Sequence, residues 1–116
     1  MNVKDNEAQA RLLKTLAHPA RLELLKLLLD GPKCACRAND VLQLSQPNLS
    51  QHLKSLREAG IVAQLKIANK RCYYIREKGF VLKLFALLEN EHETATLDER
   101  ELRERMDARR QGDSTP

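Results

Sequence analysis

Residues 45 to 60, SQPNLSQHLKSLREAG, constrain this chain more than any other stretch. Ser45 has the chemistry of a helix N-cap, and Pro47 falls in the first turn, where a missing N–H costs nothing. Leu49, Leu53 and Leu56 recur at helical spacing and form a narrow apolar stripe. Gly60 marks the end of the helix. The outward face is Gln46, Asn48, Ser50, Gln51, Lys54, Ser55 and Arg57, with no acid between Gln46 and Arg57. A solvated helix ordinarily mixes charge signs, so a face of amides, hydroxyls and cations points to an anionic partner. Asn and Gln pair bidentately with adenine edges in the major groove, and Ser donates or accepts there. Lys54 and Arg57 suit phosphates, as do the free N–H groups at the helix start.

The flanking sequence supplies the frame for such a helix. Residues 5 to 17 form an amphipathic pattern with Ala8, Leu12, Leu13 and Leu16 as its stripe. His18-Pro19 breaks it, and Pro19 opens the next helix, in which Leu22, Leu25, Leu28 and Leu29 share one side. Gly31-Pro32 ends that helix. A short helix from Cys34 to about Leu44 follows, with Ala38, Val41 and Leu42 inward, and then the tight turn at Ser45. Short helix, sharp turn and polar-faced helix together make a helix-turn-helix pattern.

After Gly60 the period changes to two: Ile61, Ala63, Leu65 and Ile67 alternate, as do Cys72 and Tyr74. The spacing predicts a two-stranded β-hairpin with Asn69 in its turn and a basic tip at Lys70-Arg71. Residues 79 to 92 return to a helix with Val81, Leu84, Phe85 and Leu88 as its core stripe. From about residue 94 the chain is mostly charge, a solvated helical extension with a disordered end. The expected organisation is therefore a mainly α domain over 1–93 and a charged extension over 94–116.

Charge supports the same partner. The 116 residues carry a net +4, but residues 33 to 78 hold nine bases against three acids, a local +6. Nothing at the start resembles a signal peptide, and the apolar run LELLKLLL is far short of a membrane span, so a cytoplasmic location and no membrane partner are expected. No Gly-rich phosphate loop or nucleophile–base pair is present, which argues against an enzyme. A protein-interaction module without DNA affinity is the reading from another class.

LAHPARLELLKLL, LSQPNLSQHLKSLREAGIV and NKRCYYI together resemble the ArsR/SmtB family of winged-helix repressors. The resemblance covers roughly residues 8 to 90. It implies a winged helix-turn-helix homodimer, bound to double-stranded operator DNA and released by a metal ion, a metalloid or thiol modification. It places Ser45, Gln46, Asn48, Ser50, Gln51 and Lys54 at DNA-facing positions, Lys70 and Arg71 on the wing, and the dimer interface on residues 5–17 and 79–92. His52 flanks the apolar stripe, and both a DNA contact and a structural role stay open for it.

The cysteines are the remaining signal. The family's arsenic-sensing branch carries Cys-x-Cys-x-x-Cys before the recognition helix; Cys34 and Cys36 match the first two, and Asn39 stands at the third. Thiolates are the natural ligands of soft acceptors, so arsenic(III) or a related soft ion is the implied inducer, with no obligatory cofactor. In a regular helix, residues two apart point to nearly opposite sides. Cys34 and Cys36 can share one ion only if the helix start unwinds or Cys34 precedes it. Lys33 and Arg37 are expected to lower both thiol pKa values. Thiol redox or persulfide sensing and simple packing are the other readings. Cys72 reads as a packing residue, and a ligand only if the fold brings it near the helix of the other two or the second chain supplies it. His92 sits amid Glu89, Glu91 and Glu93, a pattern of a solvated face rather than a zinc site.

Overall fold

The computed structural model describes residues 1–111, with side chains through residue 108. Its elements run α1 (Asn6–Leu16), α2 (Pro19–Leu29), β1 (Lys33–Cys34), α3 (Ala35–Leu42), α4 (Gln46–Glu58), β2 (Val62–Ile67), β3 (Lys70–Ile75), α5 (Lys78–Glu89) and α6 (Glu99–Gln111). The expected winged helix-turn-helix is present: α3, a turn and α4, followed by the β2–β3 wing.

Each of the first, second and fourth helices begins where its sequence supplies an acceptor. Asp5 caps α1 by accepting from the Ala8 N–H at 2.7 Å. His18 caps α2, its Nδ1 accepting from the Ala20 N–H at 3.2 Å, with Pro19 in the first turn. Ser45 caps α4, its hydroxyl accepting from the Asn48 N–H at 3.3 Å. The end of α4 is equally specified. Gly60 has φ +80°, the Ile61 N–H donates to the Leu56 carbonyl, and the Gly60 N–H donates to that of Arg57. This is a Schellman-type closure, which needs the left-handed residue that glycine supplies without strain. It turns the chain so that Ile61, fully buried, leads directly into the wing.

The core is one cluster. Leu24 and Leu25 of α2, Leu49, Leu53 and Leu56 of α4, Ile61, Val62, Tyr73 and Val81 meet in it, joined by Leu12, Leu16, Leu28, Ala38 and Phe85. α2 is the central helix, which explains its near-continuous leucine content. Lys26 lies over the Phe85 ring at 5.1 Å and pairs with Glu89 at 3.2 Å, tying α2 to α5.

Four expectations are corrected. The sheet has three strands, in the order β1-β3-β2, where a two-stranded hairpin was expected. Residues Lys33 and Cys34 pair with β3, and a two-residue strand has no periodicity to read. The short helix accordingly starts at Ala35, not Cys34, and stops at Leu42 because Gln43 turns left-handed at φ 53°. Val41, expected inward, is 49% exposed. Leu13 and Leu88, assigned to core stripes, are 61% and 58% exposed.

The hairpin turns through Ala68 (φ 50°) and Asn69 (φ 64°), two left-handed residues in a two-residue loop, as a type I′ turn requires. Asn69 thus takes the expected role. Val62, Tyr73 and Ile75 form the inner face of the wing, while Leu65, Ile67, Cys72 and Tyr74 are more exposed. The charged tail holds α6, exposed along its described residues and laced by Arg103–Glu99 and Arg100–Glu104 pairs. The expected disordered end falls beyond residue 111, outside the described residues. No described helix is long and apolar enough to cross a membrane.

Candidate nucleic-acid interface and thiol pair

Three leucines hold α4 in place and so fix which side chains it shows. With Leu49, Leu53 and Leu56 buried, Ser45, Gln46, Asn48, Ser50, Gln51, Lys54 and Arg57 stand exposed on the other side. Gln46 reaches Ser50 over one turn, its Nε2 donating to Oγ at 3.4 Å. Lys54 lies 4.0 Å from Glu58, a solvent-exposed pair that leaves the ammonium available. The exposed strip therefore combines amides, hydroxyls and cations, beginning at a helix N-terminus with its free N–H groups.

Two residues of α4 turn inward instead. Arg21 of α2 donates through its guanidinium to Ser55 Oγ at 3.1 Å and to the Thr15 carbonyl at 3.0 Å, and through Nε to His52 Nδ1 at 3.1 Å. The His52 ring is also 4.4 Å from that of His18, tilted by 60°. His52 thus accepts at Nδ1 as a neutral ring. Burial lowers its pKa below 6.5, and the charges of His18 and Arg21 lower it further. Sequence alone could not show Arg21, because its partners lie 31 and 34 residues away.

Lys70 and Arg71 follow the hairpin turn and are exposed, as are Lys66 and Ile67 opposite them. Alternation sends them to different faces: Arg71 shares the face of Tyr73, and Lys70 that of Cys72. The wing tip thus spreads positive charge on both sides.

Cys34 precedes α3, extended at φ −76° and ψ 158°, which meets the condition for Cys34 and Cys36 to converge. Their sulfurs are 2.6 Å apart, more distant than the ~2.05 Å of a disulfide, and both thiols are free. The pair is electrostatically asymmetric. Donation from Cys36 holds the Cys34 thiol below its ordinary value, helped by the Arg37 backbone N–H and the charge of Lys70. The same bond, with burial, pushes Cys36 up. Lowering of both thiols by Lys33 and Arg37 is therefore not what the structure shows. Lys33 donates to the Gly31 carbonyl at 3.0 Å, and the cation that acts on the thiols comes from the wing. Cys72 lies opposite Cys34 in the β1–β3 register. His92 follows α5 without joining it, its Nε2 on the Leu87 carbonyl. Among the described residues no three His, Cys, Asp or Glu side chains already stand together as a metal cluster.

A family model described as bacterial regulatory protein, arsR family, matches residues 18–64, from the α2 cap through the first half of β2. An arsenical resistance operon repressor of Staphylococcus xylosus is 43% identical over 67 residues, 58% of this chain; the match spans 64% of that repressor's length. An HTH-type transcriptional regulator of Methanocaldococcus jannaschii is 41% identical over 70 residues, 60% of this chain and 79% of the relative. Among solved structures, HlyU from Vibrio cholerae superposes with a TM-score of 0.66 at 33% identity, covering 75% of this chain and 98% of that one. The repressor and the HTH-type regulator are named as regulators rather than enzymes. With the HTH-type regulator and HlyU each matched over more than two thirds of their length at above 30% identity, the chain belongs to the arsR family of bacterial regulatory proteins.

Proposed function

We propose that the chain is a transcriptional repressor that binds double-stranded operator DNA as a homodimer and leaves it when arsenic(III), or a related soft ion, binds Cys34 and Cys36. The observation that carries the DNA half is the exposed strip Ser45, Gln46, Asn48, Ser50, Gln51 and Lys54 on a helix whose other side is locked into the core. A helix of this kind in the major groove reads bases with its amides and hydroxyls, while Lys54 and the wing residues Lys70 and Arg71 neutralise phosphates. His52 is assigned a positioning role, since its Nδ1 is engaged by Arg21. The dimer rests on Leu13 of α1 and on Leu82, Leu87 and Leu88 of α5, all at least half exposed on the two helices where the family resemblance puts the interface.

The inducer half rests on the convergence of two sulfurs at the start of α3. Asn39 at the usual third position leaves the Cys-x-Cys pair to make first contact. α3 packs against α4 through Ala38 and the α4 leucines in the common core. A ligand that reshapes the start of α3 therefore acts on the helix that positions the reader. It shifts the equilibrium only by the difference in its affinity for the two states. The same 2.6 Å approach favours a second reading, in which peroxide or a persulfide oxidises the pair. Gel shifts separate the two. Arsenite releases DNA from the reduced wild-type protein, whereas Cys34→Ser and Cys36→Ser variants stay bound. Release by peroxide or persulfide but not by arsenite would favour the redox reading.

A further inference from the structure

Two sulfurs leave a trivalent thiophilic ion one donor short, and the sheet brings a third thiol to the same place. β1 runs antiparallel to β3 with Cys34 directly opposite Cys72. Opposed residues on such a pair project to the same face, with Cβ atoms about 4.5–5.5 Å apart. That face is turned from the core: the neighbouring Tyr73 is buried, whereas Cys34 and Cys72 are half-buried. Lys70 shares the face, two residues before Cys72 on the same strand. Three thiols and one ammonium thus lie on adjoining segments where the lead into α3 meets the wing.

We propose that Cys72 is the third thiolate of a Cys34–Cys36–Cys72 site for a trivalent metalloid, arsenic(III) being the type, so that the bound ion bridges the start of α3 and the wing strand. This rests on the reading of Cys34 and Cys36 as inducer ligands. Binding is a ligand exchange without electron transfer. Each thiol sulfur bonds to the arsenic of arsenous acid, and its proton leaves with the displaced hydroxide, so three thiols release three waters. Soft sulfur donors suit such an ion better than the hydroxides they replace. The three donors do not already stand as a cluster among the described residues, so closing the site draws β3 and the start of α3 together. Lys70 and Arg71 lie within two residues of Cys72 on that strand. The ion therefore moves the wing as well as α3, and the two DNA-facing parts are displaced by one event.

The test is to count arsenic–sulfur bonds by X-ray absorption on the reduced full chain loaded with arsenite in thiol-free buffer. Three sulfurs are expected in the wild type, and two sulfurs with an oxygen in Cys72→Ser. Cys72→Val, which keeps an apolar side chain of β-strand character, gives the same count and guards against the hydroxyl of the first variant disturbing the sheet. In gel shifts normalised to each variant's own ligand-free affinity, half-release of DNA requires at least ten times more arsenite in either variant. A two-sulfur count in the wild type, or a count of three that persists in the variants, overturns the proposal and leaves the Cys34–Cys36 reading standing. Failure of the wild type to retain arsenic overturns both.

Discussion

Arg21 is the residue through which three helices agree on their positions. It reaches the last turn of α1 at the Thr15 carbonyl and α4 at Ser55 and His52. Its Nε–H needs an acceptor, which obliges His52 to stay neutral. The sign of the pH effect follows. The native pKa lies below 6.5, so beneath that pH the unfolded chain binds a proton that the native ring refuses. This contribution to stability is complete above 6.5 and is lost as pH falls through the native pKa. Urea midpoints at pH 7.5 and 5.5 check this: the wild type loses more stability between them than His52→Gln, whose side-chain carbonyl still accepts from Arg21. His52→Ala, which strips Arg21 of that acceptor, costs about 1 kcal/mol at pH 7.5. A His52 whose removal left both midpoints unchanged would have no positioning role.

At the level of elements, helices declare themselves in the sequence when they own both a stripe and a cap. α4 has Ser45, Pro47, three leucines and Gly60, and the structure places it at Gln46–Glu58. Its C-terminal closure is a single-residue device. Gly60→Ala puts a Cβ at φ +80°, where no neighbour lies within 4 Å, so the cost is backbone strain alone. It should destabilise the fold by about 1 kcal/mol, read as a lower denaturant midpoint with unchanged slope. β1 was invisible because two residues carry no period, and Cys34 looked helical because it adjoins a helical pattern. What makes it a strand is β3, far along the chain. The thiol pair was legible as Cys-x-Cys, but the alignment of Cys72 with Cys34 is a matter of register and appears only in the fold. Leu13 and Leu88 failed as core predictions for a different reason: periodicity marks an apolar face without saying which chain covers it.

For the molecule as a whole, the uncovered leucines of α1 and α5 are the clearest sign of a partner. A single chain leaves Leu13, Leu82, Leu87 and Leu88 in water while its own core is closed elsewhere. Burying leucines of this kind is worth roughly 1.5–3 kcal/mol each. Leu13→Glu with Leu88→Glu should convert a dimer to a monomer in sedimentation equilibrium and weaken DNA binding at least a hundredfold. A double variant that remained dimeric would move the interface off α1 and α5. The radius of gyration, 20.3 Å, exceeds the roughly 13 Å of a compact chain of this length. The molecule measures 66 × 26 × 23 Å, and its C-terminal helix α6 is exposed along its described length.

The proposed function depends on α4 entering a groove of duplex DNA. The direct measurement is fluorescence anisotropy of a labelled duplex, selected by the wild-type protein from a random pool, titrated at several salt concentrations. The wild type should bind with an affinity that falls steeply as salt rises, as release of phosphate counterions requires. Gln51→Glu with Lys54→Glu, both on the exposed face of α4, should reduce affinity at least a hundredfold while leaving thermal stability within a few degrees. Wild-type affinity retained by that double variant would contradict the assignment of α4 as the reading element.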